Sequence, residues 1–485
     1  MPLPSSRSRH ALLLALALAT ALTEPARAQP QGPDDEPETS VAQSTTSDQP
    51  AQGEPDAQPS IRSSLPQNGD PTGFNRFLHD RGIEYSLTYI GEALGNPKGG
   101  ARRGAVYQGR LDAQVDADLG TLMGWQGATF HANAYQIHGT GLSRYFVSNL
   151  MVTSGIEALP STRLYELWLE QSFFDKRVSV RAGQLAADTE FFVSQTAGLF
   201  VNATFGWPTI TAANLPSGGP AYPLATPGIR VKVEPVKNFT VRVGLFNGDP
   251  AGPGDRDPQL LNRDGTNFRT RDPALLITEA AYAYNTEKGS AGLPGTVKLG
   301  YWHHFGRFGD QEFDNSGLSL ADPSTTGIAR RLRGNDGIYG IIDQSIYREP
   351  GKDDQGASVF VRASASPSDR NLVSFYADAG LAYKGLFAGR PDDTAGLGVG
   401  YTKISGRDTA LDRDVIFFTG TPGPVRRSEA LIEATYQAVV VPGFTVQPDF
   451  QYIFRPGGGI VNPRDPSQGR VKNAAVLGVR ATVRY

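Results

Sequence analysis

The 485-residue chain contains no cysteine. This excludes a disulfide framework, a thiolate nucleophile and any cysteine-ligated metal, and it suits a polypeptide that passes through an oxidising compartment. After the first 28 residues, no hydrophobic run approaches the roughly 20 residues needed for a transmembrane helix, and mean hydropathy is slightly polar at −0.32. Neither sign of charge dominates, since 46 Lys and Arg stand against 49 Asp and Glu. No basic patch suggests a nucleic-acid partner. No Ser/His/Asp arrangement at recognisable spacing is visible. His303 and His304 are adjacent, so in a strand they face opposite sides and cannot chelate one ion together. Pro456-Gly457-Gly458-Gly459 lacks the Lys-Ser/Thr of a phosphate loop. No cofactor, metal or catalytic group is expected.

At the beginning, Arg7 and Arg9 precede the apolar run 11–22 and the small-residue site Ala26-Arg27-Ala28. This is the pattern of a secretory signal peptide spanning 1–28. Residues 29–70 are rich in Pro, Gln, Ser, Thr and acidic side chains, too poor in apolar groups to offset ordering entropy, and read as a disordered periplasmic tail. A short periplasmic helix is expected within 71–82, capped by Thr72, carrying Phe74, Phe77 and Leu78 on one face and stopped by Gly82. It would either dock at the barrel mouth or pack on the first strand.

What the chain has in abundance is alternation. In residues 106–119, Gln108, Arg110, Asp112, Gln114, Asp116 and Asp118 fall on one face of a strand and Tyr107, Leu111, Ala113, Val115, Ala117 and Leu119 on the other. The run is about twice the usual strand length and suffices to cross a bilayer at a tilt. Period-two runs recur near 83–94, 104–119, 126–138, 163–173, 177–186, 228–234, 239–247, 274–286, 295–304, 337–348, 357–366, 372–383, 395–405, 427–440, 444–454 and 474–485. Connections after even runs are short and those after odd runs mostly long, the exceptions being 95–103 and 367–371. That parity belongs to a barrel with both termini in the periplasm. The prediction is an all-β protein: a transmembrane antiparallel up-and-down β-barrel of about sixteen strands over 83–485, in the bacterial outer membrane. Its last strand ends in the aromatic Tyr485.

Function must then lie in the polar lumen. Glu166, Trp168 and Glu170 on one strand and Arg177 and Arg181 on the next should point inward, with Glu170 opposite Arg181 if the turn sits at Asp175-Lys176. Arg230, Lys232 and Arg242 extend this wall with positive charge. Such groups hydrogen-bond hydroxyls, and the indole offers a stacking face for a sugar. The same charges would equally hydrate and brace the wall. The longest connection, 187–227, carries Phe191, Phe192, Phe200, Phe205 and Trp207. Inward folding is expected, because so many aromatics are poorly placed in water; covering the outer rim is the alternative.

The segments LEQSFFDKRVSVRAGQLAADTEF, LFVNATFGWP, PGIRVKV, GLFNGDP, GLFAGRPDDTAGLGVGYTKIS and VPGFTVQPDFQYIFRPGG, with the closing strand VLGVRATVRY, resemble in order and spacing the OprB-type carbohydrate-selective porins. The resemblance covers about 169–485. It implies a sixteen-stranded outer-membrane porin through which monosaccharides, typically glucose, diffuse passively past a charged constriction. Glu170 and Arg181 are the matched positions of that lining. Implied partners are small sugars, outer-membrane lipid and the assembly machinery that reads the C-terminal strand, with a homotrimer left open and no nucleic acid. The acidic tail and a terminal Tyr in place of Phe depart from the family pattern. A general or anion-preferring channel, an outer-membrane hydrolase and a plugged structural barrel are the competing readings.

Overall fold

The computed structural model describes residues 60–485 except 288, 289, 291, 353, 466 and 468. The signal peptide and residues 29–59 of the tail lie outside the described residues. Sixteen antiparallel strands follow one another around a closed barrel. They are β1 Ile83–Gly100, β2 Gly104–Asp118, β3 Ala128–Gly139, β4 Ser161–Phe173, β5 Val178–Leu185, β6 Thr226–Val236, β7 Phe239–Asn247, β8 Ala274–Tyr284, β9 Gly295–Asp314, β10 Ala329–Arg348, β11 Gly356–Ala365, β12 Val373–Lys384, β13 Thr394–Ile404, β14 Ser428–Val441, β15 Phe444–Phe454 and β16 Lys472–Arg484. Every expected strand is present. β1 closes the ring by pairing with β16, from Thr88 opposite Arg484 to Gly100 opposite Lys472.

The barrel is inside-out relative to a water-soluble protein. Within β9, Lys298 is 5% exposed while its neighbour Leu299 is 68% exposed. In β2, Gln108, Arg110 and Asp112 are buried and Tyr107, Leu111 and Val115 are exposed, as the alternation requires. Turning the apolar set outward removes it from water only if lipid surrounds it, because a charged side chain on that face costs roughly 2–4 kcal/mol at the bilayer midplane. Aromatic pairs such as Tyr282 with Tyr284 and Tyr452 with Phe454 lie towards strand ends, where interfacial side chains belong.

Three local readings are corrected by the structure. β9 and β10 are each 20 residues long, so 305–314 and 329–336 continue as a hairpin where an outer loop was expected. Glycines at 306, 309 and 334 hide the alternation in sequence, and beyond the bilayer no apolar face is needed to mark it. The outer connection 406–426 holds a helix, Gly406–Thr419. Its signals were present: the Ser405 hydroxyl accepts the Asp408 N–H, and Gly420 ends it in the left-handed conformation. It leans on the tall hairpin through Arg407 to Glu312 at 2.8 Å.

The third correction is periplasmic. Residues 61–69, expected to be disordered, form two tight turns that bring Arg62 over the rings of Tyr85 and Tyr485, at 4.8 and 4.5 Å from their centroids. The Tyr485 hydroxyl donates to the Gly69 carbonyl at 2.6 Å. The following helix, Phe74–His79, is capped by Asp70 rather than Thr72, its two carboxylate oxygens accepting the Asn75 and Arg76 N–H groups. Phe74 and Phe77 remain exposed.

Candidate functional site: the lumen and its constriction

Strand register brings the inward charges into rows. Glu170 of β4 lies opposite Arg181 of β5, as expected, and Arg181 lies opposite Arg230 of β6. One row nearer the periplasm, Ser179, Lys232, Arg242 and Glu279 follow one another across β5 to β8. The first row is an alternating ion network. Arg181 Nε reaches Glu170 Oε2 at 2.8 Å and Arg230 Nη2 reaches the same oxygen at 2.6 Å. Arg242 Nη1 stands 3.5 Å from Glu279 Oε1.

Two acids in this network escaped the sequence reading. Glu279 sits on β8 with no motif around it. Glu190 belongs to the connection 186–225, which does enter the barrel: its carboxylate meets Arg181 Nη1 at 3.0 Å and Arg230 Nε at 2.7 Å. Burial alone would raise the Glu190 carboxyl, but Arg181 and Arg230 outweigh it and hold it below the usual carboxylate range. The wall is therefore much less positive than its Arg and Lys residues alone suggest.

The other predicted residues divide. Glu166 accepts the Ala186 N–H at 2.9 Å and so fixes the root of the inserted loop. Trp168 is buried, stacked on His131 at 4.7 Å between ring centroids, with the Arg181 guanidinium 3.6 Å from its ring. Its stacking surface is taken by protein in this conformation, which corrects the picture of an open sugar platform. Lys232 points inward beside Glu234, at 3.4 Å. Arg177 is in the exposed periplasmic turn after β4 and does not join the cluster. His303 and His304 face opposite sides as expected, His303 against Tyr301 and Phe305, His304 bonded to the Gly248 carbonyl.

Across the lumen, charged residues do different work. Arg362 of β11 donates to the carbonyls of Phe192, Thr204, Phe205 and Gly206, and pairs with Asp378 of β12. Asp343 of β10 accepts the Ser194 hydroxyl at 2.6 Å. Glu433 of β14 accepts the Val201 and Asn202 N–H groups, and Glu429 those of Leu150 and Met151 in the connection 140–160. Gly396, Gly398 and Gly400 leave β13 bare on its inner side; a Cβ at Gly398 would approach Phe205 to 2.8 Å. Phe200, Phe205 and Phe360 pack together there. The two inserted segments also pair with each other, Gly155 N–H to the Val201 carbonyl and Ala203 N–H to the Val152 carbonyl.

A closed barrel with an apolar outside, a charged inside and chain segments folded across its lumen is an outer-membrane diffusion channel. A family model described as carbohydrate-selective porin, OprB family, matches residues 102–485, and the chain belongs to that family. It is 26% identical over 432 residues to Porin B of Pseudomonas aeruginosa, covering 85% of this chain and 89% of that relative. It is similar also to a solved structure described as the high-pH structure of Pseudomonas putida OprB, with 25% identity, a TM-score of 0.76, and coverage of 86% and 98% of the two chains. A low-pH structure of the same protein matches at 20% identity and a TM-score of 0.51, a likeness of fold. The chain is a sugar-selective porin of the outer membrane, and its family and fold are those of channels rather than enzymes.

Proposed function

We propose that the chain passes monosaccharides such as glucose passively into the periplasm, and that the row Glu170, Arg181 and Arg230, hooked by Glu190, is the polar part of the constriction they cross. The observation that carries this is the closed network in which Glu170 of β4 and Glu190 of the inserted connection each pair with both Arg181 and Arg230, so that carboxylates and guanidiniums alternate around it. A sugar hydroxyl both donates and accepts, so it finds a partner at every step of such a row. Each bond to a charged group is worth roughly 1.5–3 kcal/mol but replaces one to water, which gives binding loose enough to release, as conduction requires. Lys232, Arg242 and Glu279 continue the polar track towards the periplasm.

The anion-preferring alternative drew on the Arg and Lys count, and Glu170, Glu190 and Glu279 now offset most of that charge. Barrel assembly machinery acting on β16 with its terminal Tyr485, and a homotrimer, complete the proposal. Single-channel conductance in a planar bilayer with glucose titrated in is the test. Current that falls saturably with glucose supports the reading. Current indifferent to any sugar, with anion-selective reversal potentials, replaces it with the ion channel.

A further inference from the structure

Above the constriction, the outer connections enclose a cavity of about 540 Å³, within the roughly 300–1,000 Å³ usual for small-molecule sites. Thr140, Tyr145, Asn149 and Glu157 line it from the connection 140–160, and Gln259 closes it from 248–273. A second cavity of about 210 Å³ adjoins it, lined by Trp207, Ser217, Tyr222 and Asp257 among others. Arg144 and Gln259 line both. Arg144 is also one half of the ion pair that lies between them: its Nη2 is 2.5 Å from Asp257 Oδ2, with the side chains 41% and 21% exposed.

Each partner is positioned without the other. The Glu157 carboxylate accepts the N–H groups of Ser143 and Arg144 at 3.0 and 2.9 Å, fixing the backbone that carries the guanidinium. Asp257 Oδ1 accepts the Gln259 N–H at 2.9 Å, and Gln259 Oε1 accepts the Leu159 N–H at 2.7 Å. The pair therefore bridges two preformed loops, and a half-exposed ion pair of this kind contributes only about 0–1 kcal/mol. A ligand able to satisfy both groups displaces it at little cost.

We propose that the two cavities form one outer carbohydrate-binding vestibule, in which Arg144 and Asp257 exchange their mutual bond for a vicinal diol. The guanidinium donates to hydroxyl oxygens and the carboxylate accepts hydroxyl protons, so a polyol satisfies both. An anion drawn to Arg144 would also face the Asp257 carboxylate paired with it, which favours a neutral sugar. Asn149, Gln259 and Ser217 supply further polar contacts, and the partly exposed Tyr222 supplies apolar surface. This rests on the sugar-channel reading above and adds a second binding position, reached before the constriction.

The natural chain has no cysteine, so a single Thr140→Cys substitution in the full-length porin reports on the larger cavity alone. The experiment is the rate of modification by a charged thiol reagent with glucose titrated in, glycine betaine serving as the osmotic control and Thr421→Cys, on the connection after β13, as the control position. Glucose should slow modification of Thr140→Cys at least severalfold and saturably, leaving Thr421→Cys untouched. Arg144→Gln and Asp257→Asn, the latter keeping the helix-capping oxygen, should each raise the half-protecting glucose concentration at least about fivefold. An unchanged Thr421→Cys rate in those backgrounds reports an intact outer face. No protection, protection equalled by betaine, or protection indifferent to both substitutions overturns the proposal. A channel blocked by glucose yet unprotected at Thr140→Cys overturns this proposal alone; one neither blocked nor protected overturns the sugar-channel reading with it.

Discussion

The two sides of the lumen carry similar inward residues and use them in opposite ways. From β4 to β8 the charged groups mostly meet other charged side chains, Arg181 and Arg230 sharing Glu170 and the inserted Glu190, while Glu166 and Glu279 each also take one backbone N–H of the inserted connection. From β10 to β15, charged groups are directed at main-chain atoms: Arg362 at four carbonyls, Glu429 and Glu433 at N–H groups. A side chain bonded to another side chain can re-pair with a passing hydroxyl. One that satisfies buried backbone cannot let go without exposing an unpaired polar group, at about 1–3 kcal/mol each. The first wall is the one proposed for transport, and the second holds the inserted segments in place.

The sharpest way to break that contrast is Arg362→Ala. It strands Asp378 without its buried partner and removes the arginine donor from the carbonyls of Phe192, Phe205 and Gly206, a loss of about 3–5 kcal/mol. Denaturant unfolding in detergent should show it, and any protein that still inserts should conduct ions with a larger unitary current, because the loop is no longer held across the lumen. If Arg362 instead lines the path as proposed for Arg181, sugar block will change while stability stays the same.

Gly398→Leu tests the same scaffold by shape. Its Cβ alone would come within 2.8 Å of Phe205 and 2.9 Å of Phe200, and overpacking of this kind costs about 1–3 kcal/mol. A wider, noisier channel is expected. On the opposite wall, Arg181→Ala and Glu170→Ala should weaken glucose block severalfold and cost less stability than Arg362→Ala, because Arg230 still pairs with Glu190 in both and the member of the pair that remains keeps a charged partner, Glu170 with Arg230 or Arg181 with Glu190. Glu190→Gln removes the hook to Arg181 and Arg230 and should shift the reversal potential towards anions while loosening the loop by roughly 1.5–3 kcal/mol.

Acid acts on that same hook with a smaller effect. The Glu190 carboxyl is depressed by Arg181 and Arg230 when the loop is seated, so the stabilisation it contributes is fully present above the free carboxylate value near 4.3 and is lost as pH falls through the lower, seated value. Open-channel noise should therefore stay constant at neutral pH and rise only below about pH 4, and in Glu190→Gln this rise should vanish.

Much of this molecule is legible from one residue to the next. Strand number, loop parity, inward and outward faces, and the pairing of Glu170 with Arg181 all follow from period-two alternation and the position of one turn, because a strand's sides are fixed by parity and a hairpin's register by its turn. The ends of the tall β9–β10 hairpin were not legible, since outside the bilayer no apolar face reveals a strand. Nor, beyond the Glu170–Arg181 pair, was the destination of the inward charges. Arg181 and Arg362 are both inward arginines, and only the insertion of 186–225 across the barrel gave one a second carboxylate, Glu190, and made the other a clamp on backbone. Glu190 lies in a loop without periodicity, and what it meets is set by how the closed ring curves back on that loop. Alternation along the chain determined the wall; contacts between segments distant in sequence decided which of its charges meet one another and which hold backbone, because those partners are fixed only when the ring closes around the inserted loops.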